Sequence, residues 1–199
     1  AFDDEGFLTN AEVVEAVAKI DEKYYATLPA AVEAAQAGET VVLIKTTTGA
    51  GVVIDKDITI DFNEKTYTFN KTVGSAGPTT LGFQILKDNN VTLKNGTLTS
   101  TAVVEGNEVK MLVQNYANLT LTDMNLVDNT AHILYALSNN SGTVNINGAT
   151  NITTDKVAFD VCKYASYAVP TVNVNTTGII KGAIEVTAEI NNNLNISGG

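Results

Sequence analysis

The sequence predicts an all-β fold in which one chain winds as a single-stranded, right-handed parallel β-helix, with short helices at its N-terminal end. An apolar–polar–apolar motif recurs along the chain, and turn-forming Asn, Gly, Thr and Asp residues separate its copies. The helical patterns all precede the first copy. The copies are Val91-Thr92-Leu93, Leu119-Thr120-Leu121, Val144-Asn145-Ile146, Val172-Asn173-Val174 and Leu194-Asn195-Ile196, with Ile58-Thr59-Ile60 as an earlier one.

The spacing of the motif matches one coil of a β-helix. Its five later copies start 28, 25, 28 and 22 residues apart, by subtraction of their positions, and each interval holds about three short strands. Because side chains alternate along a strand, the first and third residues of the motif should stack into two buried columns and the second into an exposed polar column. An antiparallel sandwich is the structural alternative, since many short strands with turns also fit it.

The N-terminal region is predicted to be helical. Thr9 with Glu12 forms a capping-box pattern, which marks the start of a helix. Apolar residues at helical spacing follow, namely Val13, Val14, Val17 and Ile20. We therefore expect residues 1–22 to be a helical extension, followed by the parallel β-helix over residues 23–199.

A second helix is predicted to cap the first coil. Thr27 suits the N-cap, Pro29 lies in the first turn, and Gly38 follows the end, so the helix should span about residues 28–37. Such a helix would cover apolar side chains and strand edges that an open coil exposes. We expect Val32 to be buried beneath it.

Composition excludes several classes of function. The net charge is −10 and the twelve cationic residues are all Lys, which argues against nucleic acid because phosphate recognition needs a basic surface and favours Arg. No apolar stretch reaches the roughly 18 residues of a membrane span, and the first residues show no signal-peptide pattern. Cys162 is the single Cys, so we expect a buried, unreactive thiol and no intramolecular disulfide.

A family resemblance rests on the capping region and the first repeats. Residues 25–35 (YATLPAAVEAA) and 38–43 (GETVVL) resemble the N-terminal capping helix and first strand of the pectate-lyase-like β-helix superfamily. With residues 58–63 (ITIDFN) and 66–69 (TYTF), the chain from about residue 18 to 199 looks like repeat regions of gut-bacterial surface proteins and adhesins. The resemblance implies an extracellular or cell-surface location and a pectin-lyase-like fold. The superfamily contains lyases, hydrolases, tailspikes and adhesins, so it does not imply one activity.

The residues favour binding over catalysis. Lyases of this superfamily typically use Arg or Lys as base together with Ca²⁺, and Arg is absent here. Glycoside hydrolases need converging carboxylates, and no acidic pair is evident from the sequence. His132 is the only His, which excludes paired-His metal motifs. We therefore predict no catalytic residues, with a polysaccharide lyase or glycoside hydrolase as the alternative function.

No cofactor is predicted, although Asp55 and Asp57 are candidate Ca²⁺ ligands because they lie close together at a turn. The chain contains no D-x-D-x-D-G loop of the kind that binds Ca²⁺. Asp123 aligns near Asn95 of the preceding coil, which favours a ladder of turn residues that bond backbone amides.

Four tyrosines are the candidate ligand-binding residues: Tyr116, Tyr135, Tyr164 and Tyr167. They fall near strand ends in successive coils, which lie roughly 4.8 Å apart, so they could form an exposed strip. Tyrosine rings offer an apolar face and a hydroxyl to a sugar. Alternatively, they cover coil corners or fill the core. The leading function is a noncatalytic surface module that binds polysaccharide or host-matrix glycan, or that serves as an adhesin scaffold.

The last motif copy is followed by no capping pattern. Leu194-Asn195-Ile196 begins another coil, and an uncovered coil leaves apolar side chains and backbone groups open. Two resolutions follow: the natural chain continues beyond Gly199, or a second copy covers the open edge through self-association.

Overall fold

The parallel β-helix predicted from the sequence is confirmed. The computed structural model describes residues 15–75, 79–105, 109–129, 133–187 and 192–198. These residues form an all-β solenoid in which 61% of them lie in strands, and they include one short helix. Within the described residues, no helix combines the length and the apolar character that crossing a membrane requires.

The strands and the helix follow one another in a simple order. Several strands are long because they bend at a corner and contribute to two faces of the solenoid. The elements are β1 (Ala18–Ile20), β2 (Lys23–Tyr25), α1 (Leu28–Ala34), β3 (Thr40–Leu43), β4 (Thr47–Ala50), β5 (Val52–Ile54), β6 (Ile58–Lys71), β7 (Leu81–Ile85), β8 (Asn90–Glu105), β9 (Met111–Asn115), β10 (Asn118–Val127), β11 (Tyr135–Asn139), β12 (Thr143–Gly148), β13 (Asn151–Val161), β14 (Thr171–Thr176), β15 (Ile180–Val186) and β16 (Leu194–Ile196).

Parallel pairing between successive coils builds three faces. The first face contains β3, the start of β6, β8 and β10, and then β12, β14 and β16. The second face contains β4, the later parts of β6, β8 and β10, and the starts of β13 and β15. The third face contains β5, β7, β9, β11 and the later parts of β13 and β15.

The repeated motif forms the first face in the predicted register. Leu119 pairs with Val91 below it and Val144 above it, and Leu121 pairs with Leu93 and Ile146. The columns are buried through β14, because the side chains at alternate positions all point into the solenoid. The last copy, on β16, departs from the expected burial: Leu194 is half-buried and Ile196 is exposed. Ile196 is 61% exposed, because no described coil packs over β16.

The turn between the first and second faces repeats a left-handed backbone conformation. Asn95, Asp123 and Gly148 have φ values of 59°, 53° and 62°. Asn and Asp tolerate this region better than other residues with a side chain, and Gly adopts it freely. The Asp123 carboxylate accepts a hydrogen bond from the Ala149 backbone N–H at 2.7 Å. The predicted turn ladder is therefore confirmed.

Helix α1 caps the N-terminal end as predicted, although it is shorter. The Thr27 hydroxyl accepts a hydrogen bond from the Ala30 N–H at 3.2 Å, which is the expected N-cap. Leu28 and Val32 are buried against the first coil. The helix ends at Ala34 rather than near residue 37, because Ala35 already has an extended backbone with ψ of 140°.

The prediction of a helical extension over residues 1–22 is wrong where the structure describes it. Ala18–Ile20 is strand β1, which pairs antiparallel with both β2 and β3. Ala18 and Ile20 are buried and Lys19 is not, so the segment has the alternation of a strand. Pairing with β3 also satisfies backbone groups on an open sheet edge. Residues 1–14, which include the predicted capping box, lie outside the described residues.

Candidate functional site

Three of the four candidate tyrosines lie together on the corner beyond the third face. Tyr116 directly follows β9, whereas Tyr164 and Tyr167 lie in the connection after β13. The Tyr116 ring is edge-on to Tyr164 and to Tyr167, with centroid separations of 6.1 and 5.5 Å. The rings of Tyr164 and Tyr167 are nearly parallel, at 16° and 6.3 Å. These separations are those of favourable aromatic pairs.

The connection after β13, residues 162–170, reaches back along the solenoid to make this cluster. Strand β11 lies between β9 and β13 on the third face, so the connection crosses one coil to contact Tyr116. The corner beneath, Ser138 to Ser141, is buried although it is polar. The Ser141 hydroxyl donates to the Tyr116 carbonyl oxygen at 2.5 Å, which joins the corner after β11 to the corner after β9. The tyrosines therefore sit on a packed support.

The cluster combines a half-buried tyrosine, Tyr116, with an exposed one, Tyr164. Burial raises the pKa of Tyr116 to about 12, so its hydroxyl stays neutral and can donate a hydrogen bond at physiological pH. Tyr164 is 49% exposed. The cluster thus exposes part of an aromatic side chain to solvent beside the neutral Tyr116 hydroxyl.

A groove of about 620 Å³ runs beside the cluster. This volume is within the roughly 300–1,000 Å³ that is common for small-molecule sites. Among the described residues that line it there is no carboxylate, and Lys87 is the single charged one. We call it the tyrosine groove, and its lining residues are Ser75, Thr80, Leu81, Gln84, Leu86, Lys87, Gln114, Tyr116, Tyr164 and Tyr167.

Two glutamines form the polar side of the tyrosine groove. Gln84 and Gln114 are register partners on β7 and β9. The Gln84 side-chain nitrogen donates to the Gln114 side-chain oxygen at 2.9 Å, and the Ser75 backbone N–H donates to the Gln84 side-chain oxygen at 2.7 Å. Sequence reasoning did not identify this pair. The available signal was that two successive third-face strands each have a Gln as their second-last residue.

Tyr135 lies apart from the other three tyrosines, so a strip of four is wrong. The sequence placed a strand at Ile133 to Tyr135, whereas Tyr135 begins β11 and pairs with Met111 at the start of β9. Tyr116 lies beyond the opposite end of that strand. The Tyr135 hydroxyl donates to the Glu185 carboxylate at 2.8 Å, and this hydrogen bond raises the pKa of Tyr135 to about 12.

The third face also contains an acidic pair that the sequence did not reveal. Asp160 and Glu185 are register partners on β13 and β15. Asp160 is only 6% exposed, and its carboxylate accepts a hydrogen bond from the Asn139 backbone N–H. Burial raises the pKa of Asp160 to about 6. Cys162 nearby is half-buried rather than fully buried, and burial also raises the pKa of its thiol, which disfavours the reactive thiolate.

Asp55 and Asp57 have other partners in the structure. Asp57 accepts hydrogen bonds from the Asn90 backbone N–H at 2.6 Å and from the Asn90 side chain at 3.3 Å. Asp55 is exposed and lies 3.6 Å from the Lys56 ammonium group. Across the described residues, no three His, Cys, Asp or Glu side chains converge to hold a metal ion. Ca²⁺ binding at this pair stays a prediction, and His132 lies outside the described residues.

Comparison with known proteins gives no family assignment. No protein-family model matches the chain, and neither the curated proteins nor the solved structures contain a match. The description of the fold and of the groove therefore rests on the residues of this chain.

Proposed function

We propose that this chain is a noncatalytic carbohydrate-binding module that takes a sugar into the tyrosine groove. The observation that carries the proposal is the meeting of three tyrosine rings with a row of uncharged hydrogen-bonding groups in one groove. A ring face can contact the C–H face of a pyranose, and neighbouring amides and hydroxyls can bond its hydroxyl groups.

The tyrosines are suited to binding because they are already positioned. Tyr164 contacts Tyr116 and Tyr167, so its ring is held by two neighbours before a ligand arrives. Ordering a free side chain on binding costs about 0.5–1.5 kcal/mol, and pre-positioned rings avoid much of that cost. Its 49% exposure leaves part of the side chain available to a ligand.

The charge distribution favours an uncharged ligand. The chain carries a net charge of −10, which repels polyanions at long range. Of the groove's described lining residues, Lys87 alone is cationic, and its ammonium group lies 3.4 Å from the Asp88 carboxylate. An anionic sugar would therefore compete with the Asp88 carboxylate for the Lys87 ammonium group.

The resemblance to pectate-lyase-like β-helices extends the proposal to a biological setting. The module would belong to an extracellular or cell-surface bacterial protein, with the solenoid displaying the groove toward a polysaccharide or a host-matrix glycan. An adhesin built from such coils would use the regular faces as scaffold and the irregular third face for contact.

Hydrolysis of a polysaccharide is the second candidate, because Asp160 and Glu185 are two carboxylates one coil apart. Both have partners that compete with this role: Asn139 bonds Asp160, and Tyr135 bonds Glu185. Asp160 is also too buried to meet a glycosidic bond without movement of the chain. Release of reducing ends that an Asp160→Asn change abolishes would favour hydrolysis over binding alone.

The proposal is tested by a glycan-array screen, followed by calorimetric titration of the neutral glycans that bind. The Tyr164→Ala/Tyr167→Ala double variant should bind at least tenfold more weakly, since each aromatic contact contributes about 1 kcal/mol and 1.4 kcal/mol is tenfold. Tyr24→Ala is the matched control, because Tyr24 is 58% exposed on β2, outside the groove lining. Binding that is equal in all three proteins, or no binding to any neutral glycan, would contradict the proposal.

A further inference from the structure

The orientation of the two groove glutamines is fixed by a backbone group. The Ser75 N–H can only donate, so the Gln84 atom that it contacts must be the side-chain oxygen. The Gln84 nitrogen is then the donor toward Gln114, and the Gln114 atom that it meets must also be oxygen. One backbone donor thus sets both amides, which are otherwise hard to orient.

The chain of hydrogen bonds from Ser75 through Gln84 to Gln114 ends in a donor group. With its oxygen engaged by Gln84, Gln114 presents its side-chain nitrogen. In the part of the chain that the structure describes, no acceptor takes a hydrogen bond from this nitrogen, nor is it among the fully buried unpartnered atoms. Gln114 lines the tyrosine groove beside Tyr116, so a bound ligand could supply the missing acceptor.

We propose that the tyrosine groove selects sugars that carry an acetamido group, the N-acetylhexosamines. This inference rests on the proposed carbohydrate binding and names the sugar class. The acetamido carbonyl oxygen accepts a hydrogen bond from the Gln114 side-chain nitrogen, while the methyl group and the ring contact the tyrosines. The group therefore combines an acceptor and an apolar surface, as the groove combines a donor and aromatic faces.

Discrimination follows from what other sugars place at the same position. A hydroxyl group also accepts, but it brings a donor that needs its own partner and lacks the methyl surface. Gln114 is half-buried, so its side-chain nitrogen forms a directional contact that favours a ligand with a well-placed acceptor at this point. A carboxylate accepts well, but the net charge of −10 and the pairing of Lys87 with Asp88 oppose it.

Three trisaccharides distinguish these cases by calorimetric titration. Chitotriose and cellotriose share the same linkage and differ in having an acetamido or a hydroxyl group at each ring, and a glucuronate-containing trisaccharide supplies the carboxylate. The wild-type protein should bind chitotriose at least tenfold more tightly than either of the others. Tighter binding of the glucuronate sugar would overturn the inference.

The Gln114→Glu variant tests the donor itself. A glutamate keeps an acceptor for Gln84 but has no N–H for the ligand, so the preference for chitotriose should fall to less than threefold. Gln36→Glu adds the same charge on an exposed residue outside the groove lining and should leave the preference unchanged. Gln114→Met removes the donor without charge and should also abolish the preference, which separates lost hydrogen bonding from charge repulsion.

The outcomes separate this inference from the function on which it rests. Equal binding of chitotriose and cellotriose, both weakened by Tyr164→Ala/Tyr167→Ala, would overturn the acetamido selectivity and leave carbohydrate binding intact. A preference that survives both Gln114 variants would also overturn it. Failure of all three sugars to bind, together with an empty glycan array, would contradict carbohydrate binding as well.

Discussion

The first and third faces share a backbone architecture but differ in what they offer to a ligand. On the first face, the outward amides repeat and bond one another: Asn173 donates to Asn145 at 2.9 Å, and Asn195 donates to Asn173 at 2.9 Å. On the third face, the outward residues change from coil to coil, from glutamine on β7 and β9 to acid on β13 and β15.

The difference shows where a solenoid can hold a binding site. A ladder of identical amides satisfies itself, so it stabilises the stack and leaves few free donors for a ligand. On the varied third face, the glutamine pair ends in a donor, the Gln114 side-chain nitrogen, that has no partner among the described residues. The connection over residues 162–170 adds two tyrosines beside it. Regularity therefore accounts for the fold, whereas departure from regularity accounts for the groove.

The largest expected effect comes from breaking the regular face at its core. Leu121 is fully buried in the first-face column, so Leu121→Ala should lower the free energy of unfolding by about 2–5 kcal/mol through lost burial and a residual cavity. Its neighbour Thr120 points outward and is half-buried, so Thr120→Ala is the matched control and should cost less than about 1 kcal/mol. Chemical denaturation followed by circular dichroism measures both. Equal losses from the two changes would contradict the assignment of inward and outward positions.

A smaller effect is expected from the acidic pair on the third face. The pKa of Asp160 is raised from 3.8 to about 6 in the folded chain. Between these two pH values, the folded state keeps a proton on Asp160 that the unfolded state has released. This contribution to stability is fully present below about pH 4 and is lost as the pH rises to about 6. At pH 7 and above, Asp160→Asn should therefore raise the free energy of unfolding, by about 1–3 kcal/mol at 1.36 kcal/mol per pKa unit.

The pH dependence of unfolding provides the check on this prediction. The Asp160→Asn variant should lose much of the fall in stability that the wild-type protein shows between about pH 4 and pH 6. Asp155→Asn is the control, because Asp155 is exposed beside Lys181, whose hydrogen bond lowers the pKa of that carboxyl. A wild-type stability that rises across this pH range, with no gain from Asp160→Asn, would show that Asp160 does not bind a proton near pH 6.

Sequence reasoning succeeded where one motif carried both burial and register. The first-face columns followed from alternation repeated in successive coils, because a one-residue shift would turn every apolar side chain outward. The capping helix followed from Thr27 and Pro29, whose roles depend on local backbone chemistry. The strand at Ala18–Ile20 was missed because a three-residue apolar pattern is too short to distinguish helical from extended spacing.

The site was less predictable, because the lengths of the turns between strands decide which of its residues come together. Tyr135 and Tyr116 seemed equivalent along the chain, but β11 begins two residues later than expected, which places them at opposite ends of the third face. The pairing of Asp160 with Glu185 likewise depends on register between β13 and β15, including a shift at Val157. Nothing local indicates that residues 162–170 reach back to Tyr116.

The central claim, that the third face binds a sugar while the first face is scaffold, is tested most directly by mapping amide chemical shifts during titration with chitotriose. Saturable changes in chemical shift should centre on Gln84, Gln114, Tyr116 and residues 162–170. The amide chemical shifts of Asn145 and Asn173 should stay unchanged. Shifts confined to the first-face ladder, or no saturable shift at any residue, would contradict the account.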